Sequence, residues 1–232
     1  MLTRREVLGT ALAGAVSTIV PSIAVAQDGV SKLAPPSNGP VNVAVVVGRD
    51  AAVIDFAGPW EVFGDASVAK NNGFELFMVS DEKKPINVGA SGMTIVPHYD
   101  FSSAPQPNVI LMGAQREHTP AKIEWIKAAG QRADLILSVC TGAFLLAQTG
   151  LLDGLTATTH HDFYDQFAKQ FPNVTLIRGP RYVENGKLAT AGGLSSGIEL
   201  ALRTVERYYG TSAAATTAYY MEYNRSANRP TA

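Results

Sequence analysis

Cys140 is the only cysteine in this 232-residue chain, and the residues around it suit a working thiol. Leu135-Ile136-Leu137-Ser138-Val139 reads as a strand and Gly142-Ala143-Phe144-Leu145-Leu146 as the start of a helix, with Cys140 at the pivot. A strand that turns abruptly into a helix brings two backbones almost into contact, so small residues are needed two before and two after the pivot. Ser138 and Gly142 meet that need. The pivot side chain is then forced out at the strand's carboxyl end. A thiol there lies over the first free N–H groups of the helix, which favour thiolate and predict a depressed pKa. The chemistry that fits is attack by Cys140 on an electrophilic carbon. The plainer alternative is a buried apolar filler, a common fate of free cysteine.

Three further positions could serve such a thiol. Thr141 follows the pivot, so its backbone N–H would face the site as an oxyanion donor. Gly113, with Ala114 after it, ends a neighbouring apolar run and is a second candidate donor, or simply a strand-ending turn. Asp55 lies in an apolar stretch just before Gly58-Pro59, which reads as a helix opening. Two readings of it stand side by side. A desolvated carboxyl would have a raised pKa and could move a proton to or from the substrate of a nearby thiolate; a helix-entry carboxylate would bond nearby backbone N–H groups. His160 and His161 are adjacent, and neighbours in sequence have the wrong geometry for two metal ligands on one strand face or helix stripe. No zinc site is expected there. His98 and His118 show no partner pattern and read as surface residues. Tyr208, Tyr209, Tyr219, Tyr220 and Tyr223 read as packing or an oligomer contact.

The elements that must hold these residues follow a regular alternation. Val41–Val47, Gly73–Val79 and Asn108–Met112 are apolar runs of the kind found in strands covered on both faces. Val88 to Ile95 looks like a small hairpin. Helical patterns follow Pro59, Pro120, Cys140, Asp162 and Ser195, the last running to Tyr209 with Gly210 as its stop. Strands alternating with helices imply an α/β sandwich around a mostly parallel sheet, with ligands at the carboxyl ends of the strands.

Ahead of this domain, residues 1–26 read as an export signal. Arg4 and Arg5 precede a mild apolar core, and Ala24-Val25-Ala26 gives a small-x-small cleavage pattern, which suggests the twin-arginine route to the periplasm. Residues 27–40, with Pro35, Pro36 and Pro40, read as a flexible leader. Residues 41–232 then form one domain. A net charge of −1, with no basic cluster past the signal, argues against a nucleic-acid surface. No membrane association is expected after cleavage.

The motifs also carry a family resemblance. Val53-Ile54-Asp55-Phe56-Ala57-Gly58-Pro59-Trp60-Glu61, Ser138-Val139-Cys140-Thr141-Gly142-Ala143-Phe144, Gly150-Leu151-Leu152-Asp153-Gly154 and Ala157-Thr158-Thr159-His160 resemble the ThiJ/PfpI superfamily. Arg181 to Gly186 and Thr190 to Glu199 are similar too, and the isonitrile hydratases are the branch most alike. The resemblance implies a three-layer, flavodoxin-like sandwich of the class I glutamine-amidotransferase type. It also implies a homodimer, a cysteine nucleophile, a proton-handling role for Asp55 and a pocket role for His160. The implied reaction is hydration of an isonitrile to an N-substituted formamide, a small-molecule chemistry that needs no metal or organic cofactor. The same domain occurs as the ligand-binding half of AraC-type regulators, and related thiols process reactive carbonyls as glyoxalases or deglycases. Two departures touch the pocket. Met112-Gly113-Ala114 stands where relatives often carry Pro-Gly-Gly, and His161 stands where the hydratase branch often has Trp.

Overall fold

A computed structural model of the chain describes residues 32–66, 68 and 73–225. The export signal expected over residues 1–26, and the first part of the leader, lie outside the described residues. Of the leader, residues 32–40 contain no helix or strand, and the Leu33 N–H is bonded to the Arg207 carbonyl at 2.9 Å.

In chain order the elements are β1 (Val41–Val46), α1 (Val53–Gly64), β2 (Phe74–Ser80), β3 (Ile86–Val88), β4 (Met93–Ile95), β5 (Tyr99–Asp100) and β6 (Val109–Met112). Then follow α2 (Pro120–Arg132), β7 (Leu135–Val139), α3 (Gly142–Gln148), β8 (Thr156–Ala157), a 3-10 turn at His161–Phe163 and α4 (Tyr164–Gln170). The rest is β9 (Thr175–Leu176), β10 (Tyr182–Asn185), β11 (Leu188–Ala191), α5 (Ser196–Tyr209) and α6 (Thr211–Tyr220).

One seven-stranded sheet runs in the order β10-β11-β7-β6-β1-β2-β5. All its pairings are parallel except β10 with β11. Period-two alternation sends successive side chains to opposite faces. Val41, Val43 and Val45 of β1 pack with Val62 and Phe63 of α1 and Leu202 and Val205 of α5. Ala44 and Val46 pack on the other side with Ile126 of α2, Leu145 of α3 and Phe167 of α4. Both faces are covered, so the expected three-layer α/β sandwich is the fold. β3 and β4 form the expected hairpin.

Chain order departs from β1 in both directions, through β2 on one side and β6 on the other. That reversal opens a crevice at the strands' carboxyl ends, where ligands of such sheets bind. Asp55 follows β1, Gly113 and Ala114 follow β6, and Cys140 follows β7, so the topology alone gathers the candidate residues on one end of the sheet.

Two expectations are corrected. Gly58-Pro59 does not open the first helix: α1 begins at Val53, and Pro59 lies inside it. An interior proline removes the N–H that would bond the carbonyl four residues earlier, here Asp55. Gly210 stops α5 as expected, with φ +87°, but α5 is not the last helix, because α6 starts on the next residue. At the sheet's rim, the Asn185 side chain donates to the Thr156 carbonyl at 2.7 Å and accepts from the Thr156 hydroxyl at 2.9 Å, tying β10 to β8.

Candidate active site

Cys140 sits at the β7–α3 turn with φ +60°, a left-handed backbone conformation unusual for a residue with a side chain. Its surroundings force that conformation. Its N–H bonds the Gly192 carbonyl at 2.9 Å, and its carbonyl accepts from the Thr159 hydroxyl at 2.9 Å. The expected need for small neighbours is visible at Gly142, where a Cβ would lie 2.5 Å from the Met112 carbonyl oxygen. The side chain is not pushed into open solvent, however. Cys140 is only 6% exposed and borders the core beneath α1 and α5.

Asp55, in the first turn of α1, is fully buried. Its Oδ2 accepts a hydrogen bond from the Ala114 N–H at 2.9 Å, far along the chain, and not from its own helix. The helix-entry reading therefore fails. Gly113 makes this approach possible, since a Cβ there would come within 2.6 Å of the Asp55 Cβ. The Cys140 thiol and the Leu194 N–H lie close enough to favour the charged carboxylate, although neither completes a hydrogen bond of standard geometry to Oδ1.

Burial pushes the Asp55 carboxyl up from 3.8 to about 6, against the hydrogen bonding from Ala114, Cys140 and Leu194. Burial first, and then the Asp55 charge, push the Cys140 thiol up to about 12, against hydrogen bonds from the Thr141 and Leu194 N–H groups. The depressed thiol pKa expected from the helix start is thus corrected: desolvation and a neighbouring carboxylate outweigh two N–H donors. Groups this close titrate as a pair. The first proton leaves at about 6 and the second at about 12, so at neutral pH the pair holds one proton and one negative charge.

The other candidates take different places. The Thr141 N–H faces the Cys140 sulfur. Of the candidate second oxyanion donors, the Ala114 N–H is engaged by Asp55, and Gly113 gives the Asp55 side chain its clearance. His160 caps the 3-10 turn, its Nδ1 accepting from the Asp162 N–H at 3.2 Å, and its ring packs where a Gly193 side chain would be. It supports the loop before α5, and no contact with Cys140 is among its partners. His161 is exposed, and its ring stacks on His160 at 4.4 Å. The two rings do not diverge as adjacency implied: His160, His161 and Asp162 bring potential ligand atoms within 4.8 Å of one another, because a 3-10 turn replaces the strand or helix assumed. The His160 Nδ1 already has its donor. His118 is half-buried, bonds Gln148 at 3.1 Å and lines a 280 Å³ cleft with Thr141, Phe144 and Phe163. His98 is exposed as expected, but its Nδ1 accepts from the Met78 N–H at 3.0 Å. A larger cleft of 550 Å³ on the other side of Thr141 is lined by Asp50, Ala114, Gln115 and Arg116.

Sequence reasoning missed Leu194 and Thr159 as parts of the site. Leu194 has φ +52° and directs its N–H at the pair. The Gly192-Gly193 dipeptide before it was the available signal. Thr159 lay inside a quoted motif, but nothing in its type announced a bond to the pivot carbonyl.

The profile of the DJ-1/PfpI family matches residues 41–207. The isonitrile hydratase of Pseudomonas putida is 27% identical over 176 residues, which is 73% of this chain and 73% of that protein. The transcriptional regulator CdhR of Pseudomonas aeruginosa is 30% identical over 95 residues, covering 41% of this chain and 28% of the regulator. In shape, a ThiJ/PfpI family protein from Pseudomonas syringae aligns with a TM-score of 0.71 over 86% of this chain and 84% of that one; at 24% identity this likeness speaks for the fold.

Proposed function

The chain belongs to the DJ-1/PfpI family, and from that premise we propose that it is a cysteine-dependent hydratase converting an isonitrile to an N-substituted formamide. The observation that carries the reading is the buried Asp55 carboxyl set against Cys140, with no cation beside it among the described residues. Moving the shared proton from thiol to carboxylate creates the nucleophile and the general acid together. Cys140 thiolate attacks the terminal carbon, forming a C–S bond, and Asp55 delivers its proton to that carbon, giving a thioimidate. The Asp55 carboxylate then takes a proton from water as hydroxide adds to the same carbon, and passes that proton to the nitrogen. Collapse breaks the C–S bond, releases the formamide and returns one proton to the pair. The Thr141 and Leu194 N–H groups stabilise negative charge on sulfur at the start and end of the cycle.

The test is formamide production from cyclohexyl isocyanide. Wild-type turnover is expected, and Cys140→Ala and Asp55→Asn each bring it to near background. Conversion of methylglyoxal to lactate, with no action on the isonitrile, would replace this reading with a carbonyl-processing one. The regulator relatives give a second reading weight, that of a domain that binds without reacting. Tight binding of a small ligand with turnover of neither substrate would support it.

A further inference from the structure

Lys122 has a side chain with no exposure at all, and the proposed reaction does not use it. It sits in the first turn of α2, whose N-terminus is the positive end of the helix, where a buried cation is doubly disfavoured. Such a group needs a compensating arrangement, and one is present. The Lys122 Nζ donates to the Gln115 Oε1 at 2.9 Å and to the Glu117 carbonyl at 2.7 Å, with the Asp81 Oδ2 at 3.5 Å. Gln115 in turn donates through Nε2 to the carbonyl of Val46, the last residue of β1, at 3.2 Å. Gly48 leaves room for both polar ends: a Cβ there would lie 2.5 Å from the Gln115 Oε1 and 2.6 Å from the Lys122 Nζ.

This cluster lies beneath the segment that carries the Ala114 N–H. Ala114 is the residue before Gln115, and the same segment is pinned to the loop after β1 by the Ala52 N–H to the Ala114 carbonyl at 2.9 Å and the Arg116 N–H to the Arg49 carbonyl at 3.1 Å. We propose that Lys122 is a positioning residue for the catalytic pair, holding Gln115 so that the Ala114 N–H stays aimed at Asp55. The inference rests on Asp55 and Cys140 forming a proton-sharing pair. The charged and titratable groups around Lys122 are Asp81, Glu117 and His118. Around Asp55 they reduce to Cys140, beside the Ala114 and Leu194 N–H groups. Lys122 therefore acts on Asp55 through geometry.

The experiment is the pH dependence of Cys140 alkylation by iodoacetamide, which needs no substrate turnover, read alongside the thermal midpoint. Wild type gives a lower step near pH 6, where the pair takes up its first negative charge. The Ala114 hydrogen bond lowers the Asp55 pKa, so loosening it moves that step upward. Lys122→Met and Gln115→Met each shift it by about half a pH unit or more, and the double variant shifts it no further than the larger single one. Gly48→Ala disturbs the pair of polar ends without removing either and gives a shift of the same sign; it carries the test should Lys122→Met not fold. Folded variants with lower midpoints but an unmoved step would reduce Lys122 to a packing element and overturn the proposal. A wild-type profile without the lower step would remove the pair itself, and this inference with it.

Discussion

Buried carboxylates occur in two settings in this molecule, and they are built on opposite terms. Between α5 and β10, Glu184, Glu199 and Glu206 are each met by arginine: Arg203 reaches Glu184 at 2.9 Å, and Arg225 reaches Glu199 and Glu206, both at 2.9 Å. Burial pushes Glu206 up, but the hydrogen bond and charge of Arg225 outweigh it and leave its pKa lowered. At the sheet's carboxyl end Asp55 is more deeply buried, has no cation beside it among the described residues and is pushed up to about 6. A carboxylate with an arginine holds elements together. One without a cation, set against a thiol, holds a proton ready to move.

The contrast breaks most sharply if Asp55 is neutralised. Its folded pKa lies above the unfolded 3.8, so the folded state binds the proton more tightly and stability falls as pH rises from about 4 to about 6. At pH 7 the charged carboxylate costs at most about 3 kcal/mol. Asp55→Asn is expected to remove much of that cost while abolishing turnover. Urea unfolding at pH 7 and pH 4.5 checks it: the variant gains at pH 7 and the gain shrinks at pH 4.5. A loss of stability at both values would mean that Asp55 is anchored as firmly as the arginine-paired glutamates.

Arg225→Met attacks the other setting and has the opposite sign. Glu199 and Glu206 lose their shared cation, and unfolding experiments should show a cost of about 3 kcal/mol at neutral pH. Glu206 titrates low in the folded protein, so its contribution is present above its ordinary pKa and is lost as pH falls through the folded one. The variant is therefore flatter toward acid, whereas Asp55→Asn is flatter between about pH 4 and 6. Cys140 alkylation is expected to be unchanged in Arg225→Met.

The smallest effect is expected at the elbow's brace. Thr159→Val removes the hydroxyl that bonds the Cys140 carbonyl and costs about 1 kcal/mol. Turnover on the isonitrile should fall by less than in either catalytic variant. A loss as large as that of Cys140→Ala would show that the strained φ at Cys140 depends on this one bond.

The parts legible in the sequence were those written in side-chain type at a fixed spacing. Ser138 and Gly142 announced the elbow because only small residues fit two steps either side of it. The parallel sheet followed from apolar runs alternating with helices. What stayed hidden was written in the backbone. Leu194 matters through its N–H, and the Ala114 N–H, named as a candidate donor, is aimed at Asp55; no side chain signals where a main-chain donor points. The start of α1 was misplaced because proline is commonest at a helix opening, whereas packing of Phe56, Val62 and Phe63 on the sheet keeps Pro59 inside. The thiol pKa was misjudged because helix-end charge is visible in sequence and burial is not.

The two ends of the sheet set a limit on how copies of this protein can meet. β5 offers only two residues to an incoming strand, too few for a lasting ladder. At the opposite rim the Asn185 amide is bonded to the backbone of Thr156, which holds β8 against the end of β10. Among the described residues, the seven-stranded sheet thus presents a two-residue strand at one margin and a strand flanked by β8 at the other, a narrow footing for strand-by-strand growth.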